Sequence, residues 1–157
     1  MLKLTVPGFN IVLYQPEIPT NTGNIGRLCV GSGSTLHLIK PFRFFLTDKS
    51  LKRAGLDYWQ YLSLVVHDDL EEILQSVPRE KLYFCTTKST NSYLLRSYQP
   101  GDYLIFGPES RGLPEALLQK YSDRCITIPM TERIRSLNLS NSVAIILYEA
   151  LRQQQIE

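Results

Sequence analysis

Apolar positions fall into short, nearly continuous runs separated by stretches of helical period. The runs are FNIVLY (9–14), TLHLIK (35–40), LSLVVH (62–67), KLYFCTT (81–87), DYLIFG (102–107) and RCITIP (124–129). They are β-branched or aromatic, and most do not alternate with polar residues, which is how strands covered on both faces read. Between them the period lengthens, predicting helices over 22–32, 48–60, 69–76, 114–121 and 139–154. Asp68 or Asp69 can cap LEEILQSV, and Pro114 stands where a first helical turn tolerates it. Strand and helix alternate from end to end, so the expected fold is α/β, a mainly parallel sheet with helices on both faces. The length of 157 residues suits one domain over 1–157, with no internal repeat, low-complexity segment or linker.

Composition narrows the function classes. No apolar run approaches the ~20 residues that cross a bilayer. The opening MLKLTVPGFNIVLYQPEIP lacks a small-residue cleavage site and reads as a strand, so the expectation is a cytoplasmic protein without membrane attachment. Cys29, Cys85 and Cys125 lie far apart in apolar segments, with no C-x-x-C, and read as buried thiols. His37 and His67 sit in strand-like runs, so no metal is expected. The net charge of +2 neither demands nor excludes a nucleic-acid partner. Basic residues gather at Lys49, Lys52 and Arg53 and again at Arg133 and Arg135; a solvated surface and an RNA contact are both open readings.

Parallel sheets bind ligands beyond the carboxyl ends of their strands, so the segments after strands are where chemistry is sought. Four are unusual: QPEIPTNTGNIGR, TTKSTNS, GPESRGLP and PMTERIRSLNLSN. None is a G-x-G-x-x-G, a P-loop or a G-x-S-x-G, and GSGST (31–35) reads as a helix C-terminal turn. In NTGNIGR, Asn21 or Thr22 can cap a helix, Gly23 permits close backbone approach, and Arg27 falls about one and a half turns in, a pattern suited to an anion. An ordinary capped helix with a surface arginine reads equally well. FGPESRGLP offers Gly107 and Gly112 for a tight loop carrying Glu109 and Arg111. Ahead of the last helix, Ser136, Asn138, Ser140 and Asn141 supply more hydrogen-bonding groups than capping alone uses. The helix itself, VAIILYEALR, is apolar on almost every face, which predicts a dimer through it.

In this order, NTGNIGR, LIFGPESRGLP and ITIPM…RSLNLSNSVAIILYEALRQ resemble the three signature motifs of the SPOUT superfamily of RNA methyltransferases. The likeness spans essentially the whole chain. KRAGLDYW and LYFCTTKS further resemble the minimal bacterial branch that methylates the ribose 2′-OH of the wobble cytidine or uridine in tRNA. The resemblance implies a C-terminal deep trefoil knot, an exception to the rule against threaded chains. It implies S-adenosyl-L-methionine as cofactor, the tRNA anticodon stem-loop as partner, and a homodimer whose subunits share the active site. The implied cofactor positions are Cys85, Thr86, Thr87, Lys88, Gly107, Glu109, Gly112, Ile128, Met130, Ser136, Leu137 and Asn141. Cys85 stands where an aliphatic residue is expected. Catalytic candidates are Arg27, Glu109, Asn141 and Tyr148, with other readings open: Glu109 and Arg111 holding the loop or each other, Asn141 satisfying the knot backbone, Tyr148 packed in the core. RNA contacts are placed on Arg27, Lys49, Lys52, Arg53 and Arg135. A guanidinium is a poor base, so Arg27 is expected to clamp an RNA phosphate and steady the forming alkoxide. The rival readings are a knotted RNA-binding protein without activity, a 2′-O-methyltransferase of another RNA, and a small-molecule methyltransferase.

Overall fold

The computed structural model describes residues 1–44 and 56–155; Lys49, Lys52 and Arg53 lie outside the described residues. All six expected strands are present: β1 (Asn10–Tyr14), β2 (Thr35–Ile39), β3 (Leu64–His67), β4 (Leu82–Cys85), β5 (Tyr103–Phe106) and β6 (Cys125–Ile126). They form one parallel sheet in the order β3-β2-β1-β5-β4-β6. Among the described residues four α-helices accompany the strands: α1 (Pro19–Ser32), α2 (Glu71–Ser76), α3 (Glu115–Lys120) and α4 (Leu139–Gln155). Of the expected helix 48–60, the described part, Leu56–Tyr61, is a 3-10 helix.

Local chemistry explains several boundaries. The N-cap of α2 is Leu70, which has no side-chain cap; Asp69, one residue earlier, serves the same turn by accepting from the Glu71 N–H at 3.0 Å. Pro114 is the N-cap of α3. GSGST is the helix C-terminal turn it resembles: Gly33 adopts φ 67 and its N–H closes onto the last carbonyls of α1. β6 is shorter than the run 124–129. Its ladder ends at Ile126, after which Thr127 bridges to Ser92 in the β4–β5 connection.

Period-2 geometry sends alternate side chains to opposite faces, and each face has its own helices. Ile11, Leu13, Leu36, Leu38, Leu104 and Phe106 pack with Ile25 and Cys29 of α1 and with Val143, Ile146 and Leu147 of α4. Val12, Ile39, Phe84 and Ile105 pack with Ile73 of α2 and Leu118 of α3. The double coverage is what makes the inner strands read as continuous apolar runs. The edge strand β3 departs from that: Val65 is 40% and Val66 39% exposed.

One polar chain crosses the α2–α3 face. His37 Nε2 lies 2.9 Å from Asn10 Oδ1, and its Nδ1 lies 2.9 Å from His67 Nε2. Asn10 donates its amide to the Gly101 carbonyl, which orients Oδ1 as the acceptor for His37. Burial, with His67 adding to it, lowers the His37 pKa from 6.5 to about 4. The unfolded chain therefore takes up a proton that folded His37 refuses until lower pH, so this contribution to stability is complete above about pH 6.5 and is lost as pH falls towards 4. The thermal midpoint is expected to decline steadily between pH 7 and pH 5, read by scanning calorimetry. A midpoint level across that window would remove the linkage.

Candidate active site

Beyond the carboxyl ends of β4, β5 and β6, on the side carrying α1 and α4, lies a cleft of about 680 Å³. That volume is in the range that holds a nucleotide-sized ligand, roughly 300–1,000 Å³. Its place follows from the strand order. From β1 the chain moves outward to β3, then returns to build β5, β4 and β6 on the other side, so β1 and β5 border the switch point where such sheets open. Cys85, Thr86, Thr87 and Lys88 form one wall, and the loop after β5, with Gly107, Glu109 and Gly112, forms the second. Ile128, Met130, Arg135, Ser136 and Leu137 form the third. Every position implied for the cofactor lines this cleft except Asn141, which is exposed on the first turn of α4.

The polar run before α4 has a structural use. Asn138 Oδ1 accepts from the Ser140 N–H at 2.9 Å, the Ser140 hydroxyl at 2.6 Å and the Asn141 N–H at 3.3 Å. Its Nδ2 donates to Asn21 Oδ1 at 3.2 Å, tying the start of α4 to the start of α1. Much of the apparent surplus is thus capping by one residue. Ser136 and Leu137 remain on the cleft wall.

Helix α1 differs from its sequence reading. It starts at Pro19, before Asn21 and Thr22, and its N-cap Ile18 has no side-chain cap. Asn21 and Thr22 therefore do not cap; both are buried in the first turn, and Thr22 Oγ1 has no hydrogen-bond partner among the described residues. The cap comes from a distant loop: the Glu109 carboxylate accepts from the N–H groups of Glu17 and Ile18. A carboxylate at that end also complements the helix dipole. The earlier start puts Arg27 more than two turns in, exposed and off the cleft wall. The close approach expected at Gly23 occurs at Gly26, where an added Cβ would stand 3.2 Å from the Trp59 ring. Gly23 instead offers its carbonyl to the Tyr58 hydroxyl.

The loop after β5 closes on itself as its glycines predict. An added Cβ on Gly107 would stand 2.3 Å from the Gly112 carbonyl carbon, and Gly112 adopts φ 70, a left-handed value that only glycine adopts cheaply. Arg111 does not pair with Glu109; it donates to Gln15 Oε1. Lys88, on the cleft wall, pairs with Glu115 of α3 at 2.8 Å, both side chains largely exposed. Burial pushes the Cys85 thiol up, with Cys125 adding to the effect, so Cys85 serves as a small neutral hydrophobe. Tyr148 is exposed on α4, away from the cleft. Of the two basic RNA candidates in the described residues, Arg135 lines the cleft and Arg27 does not; among the described residues no metal-binding group of His, Cys, Asp or Glu is assembled. Gln15, Glu17 and Ser110 carry contacts that no motif pointed to.

The model of the SpoU rRNA Methylase family matches residues 8–148. The chain belongs to this family. It is 50% identical over 145 residues to a tRNA (cytidine(34)-2′-O)-methyltransferase of Escherichia coli strain K12, covering 92% of each chain. A solved structure concerned with the 2-OH methylation of C/U34 on tRNA superposes with a TM-score of 0.89 at 43% identity, covering 96% of this chain and 99% of that one. The SpoU methyltransferase AviRb of Streptomyces viridochromogenes, solved with AdoMet, shares the fold at a TM-score of 0.81 and 23% identity, covering 97% of this chain and 60% of that one.

Asn138 joins α4's cap to α1, while the buried apolar face of α4 supplies most of that helix's stability. Asn138→Ala is therefore expected to leave the fold intact and cost about 1–2 kcal/mol, lowering the thermal midpoint by roughly 2–8 °C. A shift under about 1 °C would show that the cap contributes nothing.

Proposed function

We propose that the chain transfers a methyl group from S-adenosyl-L-methionine to the ribose 2′-OH of the wobble cytidine or uridine in tRNA anticodon loops. One observation carries this reading: three strand-end loops converge on one cleft in a chain half identical to a named tRNA (cytidine(34)-2′-O)-methyltransferase. The residues present fit the cofactor. Leu113, Ile128, Leu137 and Ile146 offer apolar surface for a purine ring, while Thr86, Thr87 and Ser136 offer polar groups for its ribose and amino-acid ends. When bound, the cofactor supplies the electrophilic methyl. The protein's work is to align the hydroxyl oxygen with it and to ease loss of the hydroxyl proton.

Arg27 holds an RNA phosphate in a forked contact, orients the 2′-OH and steadies the alkoxide as it forms. The proton leaves through the phosphate or a water. Glu109 is committed to main-chain donors at the start of α1, so it acts through that helix's position. Arg135 on the cleft wall guides the RNA backbone.

Arg27, Asn141 and Tyr148 all stand exposed and off their own chain's cleft, which supports a homodimer whose subunits complete one another's sites. The dimer forms through α4, whose inner face is buried while Tyr148 stays 46% exposed. The C-terminal third forms the deep trefoil knot. Supporting this path, Thr127 bridges Ser92 in an earlier connection, and Asn138 reaches back to Asn21.

Incubation with bulk tRNA and methyl-labelled cofactor is expected to label the ribose of the wobble nucleotide. Label on a base, or on another RNA position, would overturn the assignment. Arg27→Lys keeps the charge but loses the fork, so kcat should fall about 100-fold or more while calorimetric affinity for S-adenosylhomocysteine stays within about 3-fold. Equal activity would refute the clamp.

Light scattering is expected to give twice the 18.0 kDa chain mass at micromolar concentration, and Tyr148→Asp should shift it towards that of one chain. A single-chain mass for the unaltered protein would defeat the dimer.

A further inference from the structure

We propose that Glu17 is a positioning residue for methyl transfer: with Ser110 it locks the cofactor-side loop to the start of the helix that carries Arg27. The proposal rests on the methyltransferase reading above and goes beyond it, because Glu17 neither lines the cleft nor belongs to the catalytic candidates.

The contact is a crossed latch between two loops more than ninety residues apart in sequence. Glu17 Oε1 accepts from the Ser110 N–H at 2.9 Å and from the Ser110 hydroxyl at 2.7 Å, and Oε2 lies 2.9 Å from the same hydroxyl. In the reverse direction the neighbouring Glu109 accepts from the N–H groups of Glu17 and Ile18. Each loop thus supplies a carboxylate to main-chain donors of the other. A third tie joins the same loops, from Arg111 to Gln15. Gln15 sits at φ 49, the only non-glycine residue in the left-handed region among the described residues. A side chain there costs of order 1 kcal/mol or more. Two contacts hold it: its N–H donates to the Ile39 carbonyl at 3.0 Å, and its amide oxygen takes Arg111.

Geometry makes the latch matter to chemistry. The loop 107–113 forms a cleft wall, while residues 15–18 lead directly into α1 with Asn21 and Arg27. An in-line displacement tolerates little misplacement between the two reacting partners, and an error near 1 Å can cost about 100-fold. Glu17 is exposed and belongs to neither hydrophobic core, so losing it should cost alignment far more than stability.

The test uses the full-length protein with tRNA, read by kcat, by calorimetric affinity for S-adenosylhomocysteine and by thermal midpoint. Glu17→Ala should lower kcat about 10- to 100-fold, with affinity held within about 3-fold and the midpoint within about 3 °C. Glu17→Gln keeps one oxygen for Ser110 and should recover part of the loss. Adding Ser110→Ala to Glu17→Ala should change kcat by less than its effect alone, since both remove one interaction. A kcat within about 2-fold of the parent in Glu17→Ala would overturn the proposal, as would a proportional fall of kcat, affinity and midpoint together. Unaltered protein that binds S-adenosylhomocysteine yet methylates no tRNA would overturn the functional reading and this proposal with it; the parent control separates the two failures.

Discussion

The start of α1 has to be held from outside. Its N-cap is an isoleucine without a side-chain acceptor, and Pro19 at the first helical position removes one N–H but leaves others to satisfy. The Glu109 carboxylate meets that need from the loop after β5, and Asn138 meets Asn21 from the entry to α4. Two segments from the second half of the chain therefore fix a helix from the first. Those same segments form two walls of the cleft. Satisfying one helix end and building the binding site are the same set of contacts.

This arrangement decides how the charged groups divide their work. Both oxygens of the Glu109 carboxylate already accept main-chain hydrogen bonds, from the Glu17 and Ile18 N–H groups, so the group is committed to the start of α1. Glu109 is thus better suited to holding than to acid–base work. Arg27 has the opposite situation: it is exposed on a helix anchored at its start by Glu109 and along its side by Tyr58 and Trp59. A guanidinium so placed is free to fork onto a phosphate while its backbone stays fixed.

The strands are legible in sequence because parallel strands covered on both faces lose alternation, and each of the six runs contains a strand. The loops are legible where glycine chemistry is local. Gly107 and Gly112 announce a loop folded on itself, and Gly33 announces a helix end. The beginning of α1 is not legible, since Asn21 and Thr22 are good local caps and the true cap comes from residue 109, far along the chain. For the same reason Glu17 and Ser110 carry no signal: a carboxylate and a hydroxyl become a latch only when the sheet brings β1 and β5 side by side. Asn138 lies between. Its residue type marks a cap, but its second bond to Asn21 needs the tertiary fold.

The exceptions to local rules gather at one end of the molecule. Among the described residues, Gln15 is left-handed without being glycine and Thr22 buries a hydroxyl without a partner. Both follow the carboxyl end of β1, beside the cleft. The glycine turn at Gly33 and the Asp69 carboxylate at the first turn of α2 obey local chemistry. Folding alone gives no reason for such costs to cluster, because a different residue at each position would relieve them. A binding site does give a reason: it requires a particular backbone path, and neighbouring contacts must over-determine that path for it to persist. The contacts among Gln15, Glu17, Ser110, Glu109 and Arg111 are of that kind. They tie the strained segment to the cleft wall, so strain and site are held by the same bonds.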